Sequence, residues 1–392
     1  MKNTGVIARG IVTPIFKQGD DIIDMICESL LKAAKDGGFT LNDNDIVGIT
    51  EAVVGRVQGN YASLEQVSKD VNNKFGGGSL GIVFPILSRN RFANTLIGIA
   101  GGCDKLYIQL SYPQDEFGNT LIDLAVCDEK GVDPHSDSFT ESQFRDIFGD
   151  NTVHKFTGVD YIKYYKEIAG DCEIVFSNDP TYILNYTKNI LCCDVHTRYR
   201  TQAYIQKAGA EKCLRLDEIL NKPVDGSGFS DYGLLGANKA TDESLKLFPR
   251  DTETLVYDIQ NELKKRTGSV LEVMIYGDGA FKDPVCGIWE LADPVVSPAF
   301  TKGLSGTPNE IKIKYIADND FADLTGQALT DKIRERIKSK SDNLVGDMAS
   351  QGTTPRRIHD LVGSLCDLVA GSGDRGTPIV LVQNYFKNYA SE

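Results

Sequence analysis

Val273-Met-Ile-Tyr-Gly-Asp-Gly-Ala-Phe-Lys-Asp-Pro284 is the stretch from which the rest of the chain is read. Val273 to Tyr276 is short and apolar, with β-branched and aromatic side chains, the composition of a buried strand end. The run stops at Gly277-Asp278-Gly279, where a glycine on each side of a carboxylate permits a sharp turn and a close approach by another molecule. Lys282 and Asp283 follow. A carboxylate and an ammonium at the exit of a buried strand suit a metal-phosphate site, because oxygen ligands hold a hard cation and lysine meets phosphate oxygens. The same residues also serve as a tight loop with solvated charges.

The pattern recurs outward from this stretch. Leu96 to Ala100 reads as a strand running into Gly101-Gly-Cys-Asp104, and Ile311 to Ile316 as an alternating strand that ends in Ala317-Asp-Asn-Asp320. Gly371 to Pro378, which contains Asp374, leads into a strand from Ile379 to Val382. Towards the N-terminus, Val6 to Thr13 reads as a strand interrupted by Gly10, and Ile46 to Thr50 as another. Thr50-Glu51 with Arg56 just beyond can bind phosphate, and is equally an ordinary strand-to-helix junction. Ile22, Ile23, Met25, Ile26, Leu30 and Leu31 recur at helical spacing, with Asp20 or Asp21 as cap and Gly37-Gly38 as stop. Thr252 to Arg266, Leu329 to Lys338 and Ile358 to Val369 are further helices. The expected class is α/β, of a mixed α+β kind. The strand-end carboxylates Asp104, Asp278, Asp318 or Asp320, and Asp374 are expected at one sheet edge, where α/β proteins bind ligands. Several hard oxygen donors are consistent with Mg²⁺ or Mn²⁺.

Composition narrows the function classes. The 392 residues allow about two domains, and 41% hydrophobic with 25% charged residues is globular. A net charge of −13 without a long basic run disfavours nucleic acid or an anionic membrane surface as the main partner. A small anionic substrate then needs local Lys, Arg or metal. Nine cysteines without a CxxC pair read as reduced thiols, and neither a signal-peptide core nor an apolar run of about 18 residues is present, so a cytoplasmic location is expected. Between Leu121 and Arg266 the text becomes acidic and aromatic. Cys192 and His196 stand four apart there, a spacing open to a metal pair or to a core histidine. Asp225-Gly-Ser-Gly-Phe-Ser-Asp231 is a weak phosphate-loop signal. Walker, zinc, kinase and catalytic-triad patterns are missing.

The order of motifs resembles the ligase that adds glutamate to the deazaflavin coenzyme F420. The pieces are Gly10 through Thr13-Pro14-Ile15-Phe16 to Asp21; Asp45 to Thr50 with Arg56 and Gly59; Ala100 to Asp104; Val273 to Trp289; Ile311 to Asp320; and Gly371 to Val382. The resemblance covers roughly residues 5–119 and 270–385, dividing the chain into a ligase-like part at 1–120, an inserted segment at 121–266 and a ligase-like part at 267–392. It implies that family's fold with a large middle insertion, and a homodimer. It also implies a GTP-dependent reaction in which a phosphorylated carboxylate is attacked by the amino group of L-glutamate, with Mg²⁺ or Mn²⁺ on the phosphates. By the same resemblance Thr13, Pro14, Ile15 and Phe16 contact the nucleotide, and Thr50, Glu51 and Arg56 face its phosphates. Asp104, Asp278 and Asp318 or Asp320 are implied as metal ligands; from the chemistry of the residues themselves, Arg56 and Lys282 are expected as the catalytic cations that neutralise phosphate. A non-catalytic ligand-binding relative, or a phosphohydrolase using water as acceptor, would carry similar residues.

Overall fold

The computed structural model describes residues 4–89, 91–149, 152–154, 157–277, 280–282, 289–291, 297–350, 357–370 and 374–390, with 280–282 and 289–291 as backbone only. The five-stranded sheet contains, in spatial order, Ile7–Ile11, Ile379–Gln383, Ile46–Thr50, Glu272–Tyr276 and Ala299–Phe300. The strand read from Val273 to Tyr276 lies in its interior, parallel to Ile46–Thr50 with Tyr276 opposite Thr50. Both faces are covered, so its strands read as continuous apolar runs. Val47, Ile49, Val273, Ile275, Ile379 and Leu381 face the helices Ile22–Gly37 and Thr252–Thr267. Ile46, Met274, Tyr276, Val380 and Val382 face the helix Ile358–Ala370.

The helix ends follow from their caps. Asp21 accepts the Asp24 N–H at 3.0 Å, and Gly38 closes the same helix at φ 64°. Gly268, at φ 78°, closes the second. Arg266 ties the two helices together through Asp24 at 2.8 Å and Glu28 at 2.7 Å. Gly48 lets the helix on the opposite face approach: a Cβ there would lie 2.5 Å from Cys366 Sγ.

The second sheet has the spatial order Phe139–Thr140, Cys172–Phe176, Lys105–Leu110, Ser79–Val83, Asn189–Cys192 and Lys212–Arg215. All neighbours are parallel except the Phe139–Thr140 edge. Numbered along the chain, the five parallel strands run 3-2-1-4-5, a doubly wound order. Its first two strands precede residue 120 and the others follow, so the segment 121–266 completes a sheet begun by the N-terminal part.

Two strand expectations are corrected. Ala93–Ala100 is a helix, not a strand, packed on Leu64–Phe75, with Gly98 so close that a Cβ would meet Val67 at 2.7 Å. A short run apolar on every side fits a buried helix as well as a buried strand. Ile313–Asn319 is likewise a helix; it buries Ile316 and leaves Ile313 41% exposed. No helix among the described residues is long and apolar enough to cross a membrane.

Candidate functional site

Three strands of the five-stranded sheet end at one edge, where Ile379–Gln383 begins. Ile11 pairs with Ile379, Ile379 with Ile49, and Tyr276 with Thr50. Beyond this edge the loops lock together: the Thr13 N–H donates to Gly376 O at 3.2 Å and the Thr50 N–H to Pro378 O at 3.0 Å. The opposite wall is a three-stranded antiparallel sheet of Tyr61–Ser63, Ser244–Lys246 and Asn238–Thr241. Leu245 pairs with Ala62 and both are buried, so strand alternation turns Ser244, Lys246 and Tyr61 to the other side. Between the two walls lies a cleft of about 870 Å³.

The cleft gathers Thr13, Pro14, Ile15, Phe16, Thr50, Glu51 and Arg56, which were expected to share a nucleotide site, together with Tyr276 and Gly277 from the opening stretch. Phe16 is buried under the loop while Ile15 is 78% exposed. Arg56 is exposed and has no ion-pair partner among the described residues. Glu51 does not present a bare carboxylate to a phosphate. Lys246 Nζ binds its two oxygens at 3.0 and 3.2 Å, with side-chain exposures of 15% for Lys246 and 9% for Glu51. This pair joins residues 195 apart in sequence. It lies at a junction already fastened by Asn60 Nδ2 to Phe248 O at 2.7 Å and by Gln58 Nε2 to Arg250 O at 2.6 Å. The cleft thus holds a tethered cation, Lys246, and an untethered one, Arg56.

The expected metal ligands do not come together here. Asp104 precedes the strand Lys105–Leu110 of the second sheet instead of ending a strand. Its carboxylate accepts the Gly78 N–H at 3.2 Å, and it does not line the cleft. Asp318 lies within the helix Ile313–Asn319 and Asp320 caps it; both are exposed and neither lines the cleft. The physical reason is the helical backbone at both places, which removes the strand ends on which the convergence depended. Asp278 lies outside the described residues. Lys282 belongs to a backbone hairpin in which it pairs with Trp289. Cys192 ends a strand, its Sγ 3.6 Å from Cys213 Sγ, whereas His196 is exposed against the Phe117 ring, so their four-residue spacing makes no metal pair. Among the described residues no three His, Cys, Asp or Glu side chains form a metal-holding group. The described carboxylates of the cleft are Glu51 and Asp367, the first already paired with lysine. Among the described residues these carboxylates do not build a resident metal site.

Sequence reasoning missed Tyr61, Lys246 and Asp367. Ser244-Leu-Lys246 carries a legible period of two, and Asp367 falls on a legible helix. What the text lacked was the contact between these elements and the edge of the five-stranded sheet.

Comparison with curated proteins found no match. The family model described as F420-0:Gamma-glutamyl ligase matches residues 10–384, including the segment for which the sequence reading found no counterpart. With both sheets and the whole cleft inside the matched range, the chain belongs to the F420-0:gamma-glutamyl ligase family.

Proposed function

We propose that this protein is an amide ligase that uses GTP to activate a carboxylate and joins L-glutamate, or a similar amine, to it. A carboxylate oxygen attacks the γ-phosphorus, the bond to the bridging oxygen breaks, and GDP leaves. The amine nitrogen then attacks the acyl carbon, the carbon–oxygen bond to phosphate breaks, and the amine's proton passes to solvent.

The observation that carries this reading is the meeting of Thr13–Phe16, Thr50, Glu51 and Arg56 with Lys246 in a single cleft at a sheet edge. In phosphoryl transfer the protein mainly positions the groups and offsets charge. Arg56 can bind phosphate oxygens without first breaking an ion pair, and Lys246 is held at the other wall by Glu51. Arg56 offsets the repulsion that a chain of net charge −13 exerts on a triphosphate, and Lys246 keeps the Glu51 carboxylate from adding to it. Mg²⁺ or Mn²⁺ enters this proposal as the counter-ion that accompanies GTP and spreads phosphate charge. The homodimer belongs to the proposal through the family alone.

The test is to incubate the protein with Mg·GTP, L-glutamate and a deazaflavin carboxylic acid. The proposal expects GDP and phosphate only when all are present, together with an amide product. Phosphate released at the same rate without amine and acid would replace it with the phosphohydrolase reading.

A further inference from the structure

The three-stranded sheet that walls the cleft presents an ordered row of side chains. Tyr61 is paired with Lys246, and Lys246 with Asn238. Residues paired across a sheet point to the same face, so all three turn toward the cleft, and all three line it. Neighbouring strands lie about 4.8 Å apart, which makes the row about 10 Å long from Tyr61 to Asn238. Lys246, at its centre, is held by Glu51 at 3.0 Å. The side chains at the two ends are not held in this way. Both are half-buried. Among the described residues the Tyr61 hydroxyl has no hydrogen-bond partner, and the Asn238 side chain makes only a 3.5 Å contact, from its Nδ2 to Gly236 O.

The backbone beneath Tyr61 is firmly fastened. Tyr61 O accepts the Gly228 N–H at 2.7 Å. The side chain of Asn60 donates to Phe229 O at 2.9 Å and to Phe248 O at 2.7 Å, and accepts the Phe229 N–H at 3.0 Å. Gly228 packs so closely that a Cβ there would lie 2.4 Å from Asn60 Oδ1. The Tyr61 backbone is thus placed before any ligand arrives, which lowers the ordering cost of binding.

The row carries no uncompensated charge, since Lys246 is matched by Glu51. It therefore suits a neutral ring better than a phosphate, for which Arg56 on the helix Glu51–Val57 is available. A flat heteroaromatic ring stacks on a tyrosine face. A ring edge with a carbonyl beside an N–H matches the donor and the acceptor of an asparagine amide. In the proposed reaction two ligands carry such a lactam ring, the guanine of GTP and the ring system of a deazaflavin acid.

We infer that the row Tyr61, Lys246 and Asn238 is the platform on which this cleft seats a planar lactam ring: the ring stacks on Tyr61, and its C=O and N–H groups pair with the Asn238 amide. The identity of the ring rests on the ligase reading; its place rests on the register of the three-stranded sheet.

The test titrates the full chain separately with Mg·GTP and with a deazaflavin carboxylic acid, and follows amide formation, for wild type, Tyr61→Leu, Tyr61→Phe and Asn238→Ala. Tyr61→Leu is expected to weaken one of the two ligands about tenfold. Tyr61→Phe keeps the ring and is expected to bind as wild type does. Asn238→Ala is expected to weaken the same ligand several-fold. Weaker GTP binding identifies the ring as guanine, and weaker acid binding identifies it as the deazaflavin. The loss in Tyr61→Leu is expected to persist at high salt, because stacking is not screened as a phosphate contact is. Urea unfolding of each variant separates these effects from a folding defect. Lower stability with unchanged binding of both ligands would overturn the inference and leave the ligase reading intact. Tyr61→Leu and Asn238→Ala acting on different ligands would also overturn it. Wild type that forms no amide, while both variants still weaken GTP binding, would overturn the ligase reading and support the platform.

Discussion

Replacing Lys246 with methionine isolates the energetics of the cleft's ion pair. At 3.0 Å the attraction between Lys246 and Glu51 is about 5 kcal/mol for an effective dielectric constant of about 20. Desolvating two side chains that are 15% and 9% exposed opposes that gain. The asymmetry lies in what is left behind. Lys246→Met strands a buried carboxylate, and breaking a buried pair in this way costs about 3–5 kcal/mol. The expected loss is near the lower figure, since Glu51 keeps another contact. Glu51→Gln combined with Lys246→Met leaves no charge to desolvate and is expected to lose only about 1 kcal/mol. Urea unfolding followed by circular dichroism, on both single variants and the double variant, gives the coupling energy. Simple additivity of the two single losses would refute the claim that the pair is a coupled, desolvated unit. A double variant that is as stable as wild type but binds GTP weakly would place the pair's value in ligand binding.

Four further outcomes are expected. Arg56→Met should weaken GTP binding about tenfold at low salt, and the difference from wild type should shrink as salt is raised, measured by calorimetry. Gly48→Ala should destabilise by about 1–3 kcal/mol, because the new methyl would sit 2.5 Å from Cys366 Sγ, and adding Cys366→Ala should recover much of that loss in urea unfolding. Asp104→Ala should leave GTP affinity unchanged, since that carboxylate binds the Gly78 N–H and does not line the cleft. Finally, burial pushes the Glu116 carboxyl up to about 7 against the opposing pull of the Val195 and His196 N–H groups. The folded state then binds more protons than the unfolded state between the ordinary carboxylate range and pH 7. This group's stabilisation is full below that range and is lost as pH rises through 7. Glu116→Gln should remove that component from stability measured across pH 4–8. His196, whose pKa is lowered chiefly by burial, acts in the opposite direction in both proteins and cancels in the comparison.

The strands that build the cleft's floor were legible because they are buried on both faces. Ile46–Thr50, Glu272–Tyr276 and Ile379–Gln383 had to be continuous apolar runs, and their ends carry glycine, threonine or proline. The helix Ile22–Gly37 was legible for a different reason: its caps, Asp21 and Gly38, are local chemistry that needs no tertiary partner. Leu96 to Ala100 and Ile311 to Ile316 were misread because runs of five and six residues with that patterning satisfy a strand and a helix alike.

The chain's sequence by itself determined the mixed α/β class, the family kinship and the group from Thr13 to Arg56 that meets in the cleft. Each of these is encoded in contiguous text, as periodicity, caps or motif order. Tertiary structure alone decided that Lys246 neutralises Glu51, that Tyr276 ends beside the helix bearing Asp367, and that Asp104 lies off the cleft. These are pairings between residues far apart along the chain. They depend on which sheet each strand joins and which face each helix covers, and side-chain alternation fixes a face only after that choice has been made.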